Sequence, residues 1–97
     1  MDCEHDFRKR FEEWETREEL EYLRSLVYEC DSCMREYAKM VANHALFVKE
    51  NFWDPIGKSY SFNELIDHAE DGLLGAGVHE KLKGYIYRCF LKGIDSI

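Results

Sequence analysis

The sequence predicts an all-α protein, a small helical bundle of about four helices with one long central helix. Three observations carry that expectation. Between Arg17 and Trp53 there is neither glycine nor proline, and the whole chain has one proline, which suits uninterrupted helix. Apolar residues in that stretch recur at steps of seven: Leu20, Val27, Met34, Val41 and Val48 form one row, Leu23, Cys30, Tyr37 and His44 a second, Leu26, Cys33, Met40 and Phe47 a third. The rows merge into one apolar stripe on a helix. Finally, no segment has strong strand character.

The elements follow in order. Cys3, Phe7, Phe11 and Trp14 are spaced by four, four and three, the pattern of a short amphipathic helix whose phase does not run into Leu20. A turn near Thr16 is therefore expected, and "TREE" supplies a start signal in which Thr16 and Glu19 take the two roles of a capping box. The long helix is expected from Arg17 to about Glu50. It should end before "DPIG", where Asp54, Pro55 and Gly57 suit a type I turn. "SFNE" repeats the capping box with Ser61 and Glu64, opening a short helix that stops at Gly72. After "GLLGAG" a last helix runs from Val78 to about Lys92 with Gly93 as its stop. There is no internal repeat and no sign of a second domain, so residues 1–97 are read as a single helical domain.

The chain is 45% hydrophobic and 34% charged, enough apolar material for a core without help from a cofactor. It has no apolar run of about 18 residues, and its first residues lack the apolar stretch of a secretory signal. A cytoplasmic protein that does not enter membranes is expected. The formal net charge is −7, and residues 1–36 hold twelve Asp/Glu against six Arg/Lys. Such a field disfavours direct nucleic-acid binding, which depends on Lys and Arg displacing counterions from phosphates. It suits a protein partner with a basic surface.

The four cysteines raise the question of metal or redox chemistry. "CDSC" at Cys30–Cys33 reads as mid-helix, whereas a reactive pair needs its first thiol at a helix N-terminus; Glu29 and Asp31 also flank Cys30, and their charge opposes thiolate formation. A disulfide within the pair is disfavoured, since residues three apart on a helix have Cβ atoms about 5–6 Å apart against the roughly 3.5–4.5 Å a disulfide needs. With Cys3 and His5 the pair completes a Cys3His zinc set. However, Cys30 and Cys33 fall on the apolar rows, where free cysteine packs as a small hydrophobe. The expectation is packing, with no metal and no cofactor.

Other motifs fail on inspection. "GKS" at Gly57–Ser59 lacks the glycine a phosphate loop needs five residues earlier, where Phe52 stands. "GLLGAG" follows a helix rather than a strand, so it is not a dinucleotide fingerprint. Glu18 with Glu21 and Glu64 with Asp67 loosely resemble the acid pairs with which all-helical nucleotide pyrophosphohydrolases hold magnesium, but no phosphate-binding arginine pattern accompanies them. The chain is expected not to be an enzyme.

What remains is surface. A straight helix of about 34 residues spans about 50 Å, more than the roughly 32 Å diameter of a compact domain this size. Its projecting part would need cover, so Val41, Phe47 and Val48 are candidate contacts in a homodimer. Glu12, Glu13, Glu15, Glu18, Glu19 and Glu21, together with Trp53 and Tyr60, are candidate partner-binding residues. The leading functional expectation is a small acidic adaptor or inhibitor, one version being an acidic mimic that covers a basic nucleic-acid-binding surface. A magnesium-dependent nucleotide hydrolase and a zinc-stabilised Cys/His interaction module are the alternatives.

Overall fold

A computed structural model of the chain describes residues 3–57 and 61–97. Those residues form five α-helices: α1 (Phe7–Glu13), α2 (Arg17–Glu29), α3 (Asp31–Val48), α4 (Phe62–Asp71) and α5 (Glu80–Lys92). A π turn, Lys49–Trp53, prolongs α3, and a 3-10 turn, Ile94–Ser96, follows α5. No strand occurs among the described residues. With its π turn α3 is a central helix of 23 residues, and α1, α2, α4 and α5 all pack on it.

Local chemistry explains the boundaries. Thr16 caps α2, its hydroxyl accepting the Glu19 amide at 3.2 Å, and Ser61 caps α4 by the same bond from Glu64 at 3.2 Å. Each bond satisfies a helix-end amide that has no partner inside the helix. Gly93 ends α5 at φ 102°, a conformation that glycine adopts without strain. In the "DPIG" turn the Gly57 amide donates to the Asp54 carbonyl at 3.1 Å.

The helix expected to run unbroken from Arg17 is two helices, which raises the helix count to five. Cys30 joins them in an extended conformation, φ −126° and ψ 116°. The molecule's longest dimension is 41 Å, too short for a straight helix of about 50 Å. The break lets Leu23, Leu26 and Val27 be buried. It also removes the reason for a projecting stripe: Val41 is 0% exposed and Val48 5%, so these two dimer candidates belong to the chain's own core and are not available to a second copy. Phe47 is 51% exposed.

At the far end, α3 does not stop at Glu50. The Asp54 amide reaches back to the Lys49 carbonyl at 2.8 Å, a bond across five residues that defines a π turn. Asn51 satisfies the loosened coil by donating its side-chain amide to the Phe47 carbonyl at 3.0 Å. Through this turn Trp53 is buried and stands against the His68 ring, 5.6 Å between centroids, while Phe52 is exposed.

The loop between α4 and α5 is held by one buried acid. Glu70 is 1% exposed, and its carboxylate accepts the Ala76 amide at 2.9 Å, the Gly77 amide at 2.7 Å and the Tyr37 hydroxyl. Tyr37 in turn accepts the Leu74 amide at 3.1 Å. A buried carboxylate is tolerable when its oxygens are satisfied in this way. Arg24, donating to the Leu74 carbonyl at 2.8 Å, ties the same loop to α2. "GLLGAG" is thus a structural connection.

Candidate metal centre

Two short segments, far apart in sequence, meet at the α2–α3 junction. Cys3 and His5 lie just ahead of α1; Cys30 is the junction itself and Cys33 sits in the first turn of α3. Folding brings one donor atom from each of the four within 4.8 Å of one another. Cys3 Sγ is 3.5 Å from Cys33 Sγ, and Cys33 Sγ is 3.5 Å from His5 Nδ1. Around a tetrahedral zinc with its usual bond lengths, the sulfur–sulfur edge is about 3.8 Å and the sulfur–nitrogen edge about 3.5 Å. The Cys33–His5 distance matches the second of these, the Cys3–Cys33 distance is about 0.3 Å under the first, and the widest separations reach no further than 4.8 Å.

Each ligand is positioned by its element. Arg10, one turn into α1, donates Nε to the His5 carbonyl at 2.7 Å, and the Arg10 amide bonds the Asp6 carbonyl at 3.1 Å, which fixes the approach of the N-terminal segment. Next to Cys30, Asp31 accepts the Tyr85 hydroxyl at 2.7 Å and pairs with Lys81 and Arg35, each at 2.8 Å. Lys81 first, then Tyr85, holds the Asp31 carboxyl below the usual carboxylate range. The Tyr85 and Lys81 bonds anchor the start of α3 to α5, and Arg35 ties Asp31 into α3 itself, so the Cys30–Cys33 pair rests on a braced helix end.

Electrostatics separates the two thiols. The Cys30 thiol is pulled down to about 7, by the Cys33 backbone amide first, against burial, and with help from Cys3, Cys33 and His5. Burial, then Cys3, pushes the Cys33 thiol up. A low-lying thiol at a helix N-terminus is a ready metal ligand. All four cysteines are free thiols.

The reading of Cys30 and Cys33 as mid-helix core residues needs correction for Cys30. It is half-buried and stands between helices; Cys33 is fully buried, but against His5 and Cys3. The argument that no thiol stands at a helix start fails with it. The available signal was the pairing of Cys-x-His with Cys-x-x-Cys. A second was Asp31 in the first turn of α3, where acids favour a helix start.

The other candidates stay apart. Among the described residues, Glu18, Glu21, Glu64 and Asp67 form no converging group of three or more metal-ligating side chains. Glu12, Glu13, Glu15, Glu18, Glu19 and Glu21 are all exposed, with Glu21 paired to Arg24 at 2.6 Å. Trp53 is buried and so is not a surface anchor; Phe52 and Ile56 hold the exposed apolar positions of that segment. Tyr60 lies outside the described residues. No helix among the described residues is long and apolar enough to cross a membrane. No protein-family model, curated protein or solved structure matches the chain.

Proposed function

We propose that the chain is a small metal-clasped helical module that acts by binding a protein partner, with Zn2+ held by Cys3, His5, Cys30 and Cys33. The observation that carries this reading is the convergence of four donor atoms, from two segments, within 4.8 Å. Packing alone does not call for an imidazole nitrogen among three sulfurs. Three thiols and one imidazole form a soft donor set, which selects zinc over magnesium or calcium. Four protein ligands leave no position open for substrate, the arrangement of a structural site rather than a catalytic one. The binding surface of the proposal is the exposed acidic run from Glu12 to Glu21, matched to a basic partner.

Elemental analysis of the purified, reduced full chain tests the metal part. One zinc per chain, resistant to dialysis, is expected; a metal-free protein that takes up neither zinc nor cobalt overturns it. The acidic surface is tested separately by reversing Glu12, Glu13, Glu15 and Glu18 to Lys. Capture of the partner at low salt should be lost while zinc content and the helical circular dichroism signal stay constant, and undiminished capture removes these acids from the interface.

A further inference from the structure

We infer that metal occupancy decides whether α1 is docked, so that the centre fastens a detachable cover onto the bundle. The inference rests on the metal-binding reading above and concerns its regulation.

The ligands divide two and two across a seam. Cys3 and His5 belong to the segment that leads into α1, Cys30 and Cys33 to the braced start of α3. A bound ion is therefore the strongest tie between the N-terminal segment and the body. Without it α1 has little hold: it is seven residues long, well under the roughly 12–15 at which a helix becomes even marginal alone. Phe7 is its one buried residue, edge-on to the Tyr37 ring at 5.9 Å between centroids. Phe11 adds a half-buried ring stacked on Phe7 at 6.5 Å between centroids, and the polar anchors lie at the surface, an Arg8–Glu36 ion pair at 3.0 Å and Arg10 above the Tyr22 ring. Exposed pairs of this kind hold little.

The seam is also grooved from the solvent side. An open groove of about 330 Å3 lies beside the centre, with Asp6, Phe7 and Arg8 on one wall and Ser32, Cys33 and Glu36 on the other. A shallower one, of about 370 Å3, runs along the surface between Phe11 and Glu12 on one side and Met40, His44 and Leu73 on the other. Among the described residues, the other nineteen buried apolar ones, from Leu23 to Cys89, lie outside the N-terminal segment. They keep their mutual packing when α1 leaves. Release uncovers Tyr37 and Met40 and carries Glu12 and Glu13 away from the acids of α2, so metal loss changes the face offered to a partner.

Amide hydrogen exchange on the full chain, measured with zinc, after chelation under reducing conditions, and after zinc is restored, tests this. Chelation should bring residues 10–13 to within about tenfold of unfolded-chain exchange, while the core amides of α3 and α5 stay protected far above it, lowered only by the global stability that zinc adds, and zinc should reverse the loss. Cys3→Ser, which leaves the α2–α3 junction intact, should give the same local exposure without a chelator. If no metal binds at all, the metal reading fails and this inference with it. Metal that binds and leaves with N-terminal protection unchanged overturns the cover alone, as does a fall to unfolded-chain exchange in every helix.

Discussion

Cys33→Ser should abolish the stoichiometric zinc binding proposed for the cluster. Cys33 Sγ lies 3.5 Å from both Cys3 Sγ and His5 Nδ1 in a position closed to solvent, so its loss takes one of three sulfurs out of the proposed donor set. A serine oxygen is harder, shorter in reach and far less acidic than a thiol. The expected loss of affinity is more than about 100-fold, beyond the roughly 10- to 100-fold that follows when only a partner behind a ligand is removed. Competition with a chromophoric chelator measures it, and cobalt substitution reports the loss of thiolate ligation. Cys89→Ser is the control, because Cys89 is buried against the Ile94 carbonyl, outside the cluster. A ligand that binds only the folded form stabilises it in proportion to the logarithm of its concentration. Melting of the parent should therefore depend on zinc and that of Cys33→Ser should not. Were Cys33 only packed, Cys33→Ala would cost about 1–2 kcal/mol, and zinc would change nothing in either chain.

Val41→Glu unfolds the chain. Val41 sits in the middle of α3, the helix on which α1, α2, α4 and α5 pack, and is 0% exposed. A carboxylate there is taken out of water with no counter-charge to meet it. The cost is about 4 kcal/mol or more, against a total stability of about 5–15 kcal/mol for a domain. Urea titration followed by circular dichroism should show a large fall in midpoint or no folded baseline. Phe47→Glu, six residues on and half-exposed, should shift the midpoint by no more than about 0.5 kcal/mol equivalent. An unchanged midpoint for Val41→Glu contradicts its place in the core.

Much of the architecture is legible in the residues, for physical reasons that also explain the gaps. Thr16 and Ser61 announce helix starts because a hydroxyl before a helix has one geometric use, and the structure has both bonds. The heptad rows put Val27, Met34, Val41 and Val48 on one apolar face, and all four are buried, because helical period decides which side chains share a face. The break at Cys30 is hidden because it carries neither glycine nor proline; an extended residue between two helices needs neither. Missing that break weakens the case for the candidate metal centre, because it leaves Cys30 inside a helix rather than at the junction where the four donors meet. The same error lengthens the helix and moves Val41 and Val48 from core to surface. Glu70 is hidden differently: nothing local distinguishes a buried acid from the exposed acids around it until the loop that donates to it is in place.

The π turn after Val48 has a consequence for direction. Along α3 the inward positions run Val41, Ala45, Val48, and the next is Trp53 rather than Phe52, a stride of five. Each residue of an α-helix rotates the chain by about 100°. The widened coil absorbs one supernumerary residue within its bore, so the phase of everything downstream is reset. In a strictly α-helical chain of equal length, Phe52 would take the inward position and the indole would swing about 100° aside. His68 on α4 would lose its ring contact, and the chain would launch toward α4 on a different bearing. The bearing of the second half of the molecule is thus set by a single extra residue in one turn.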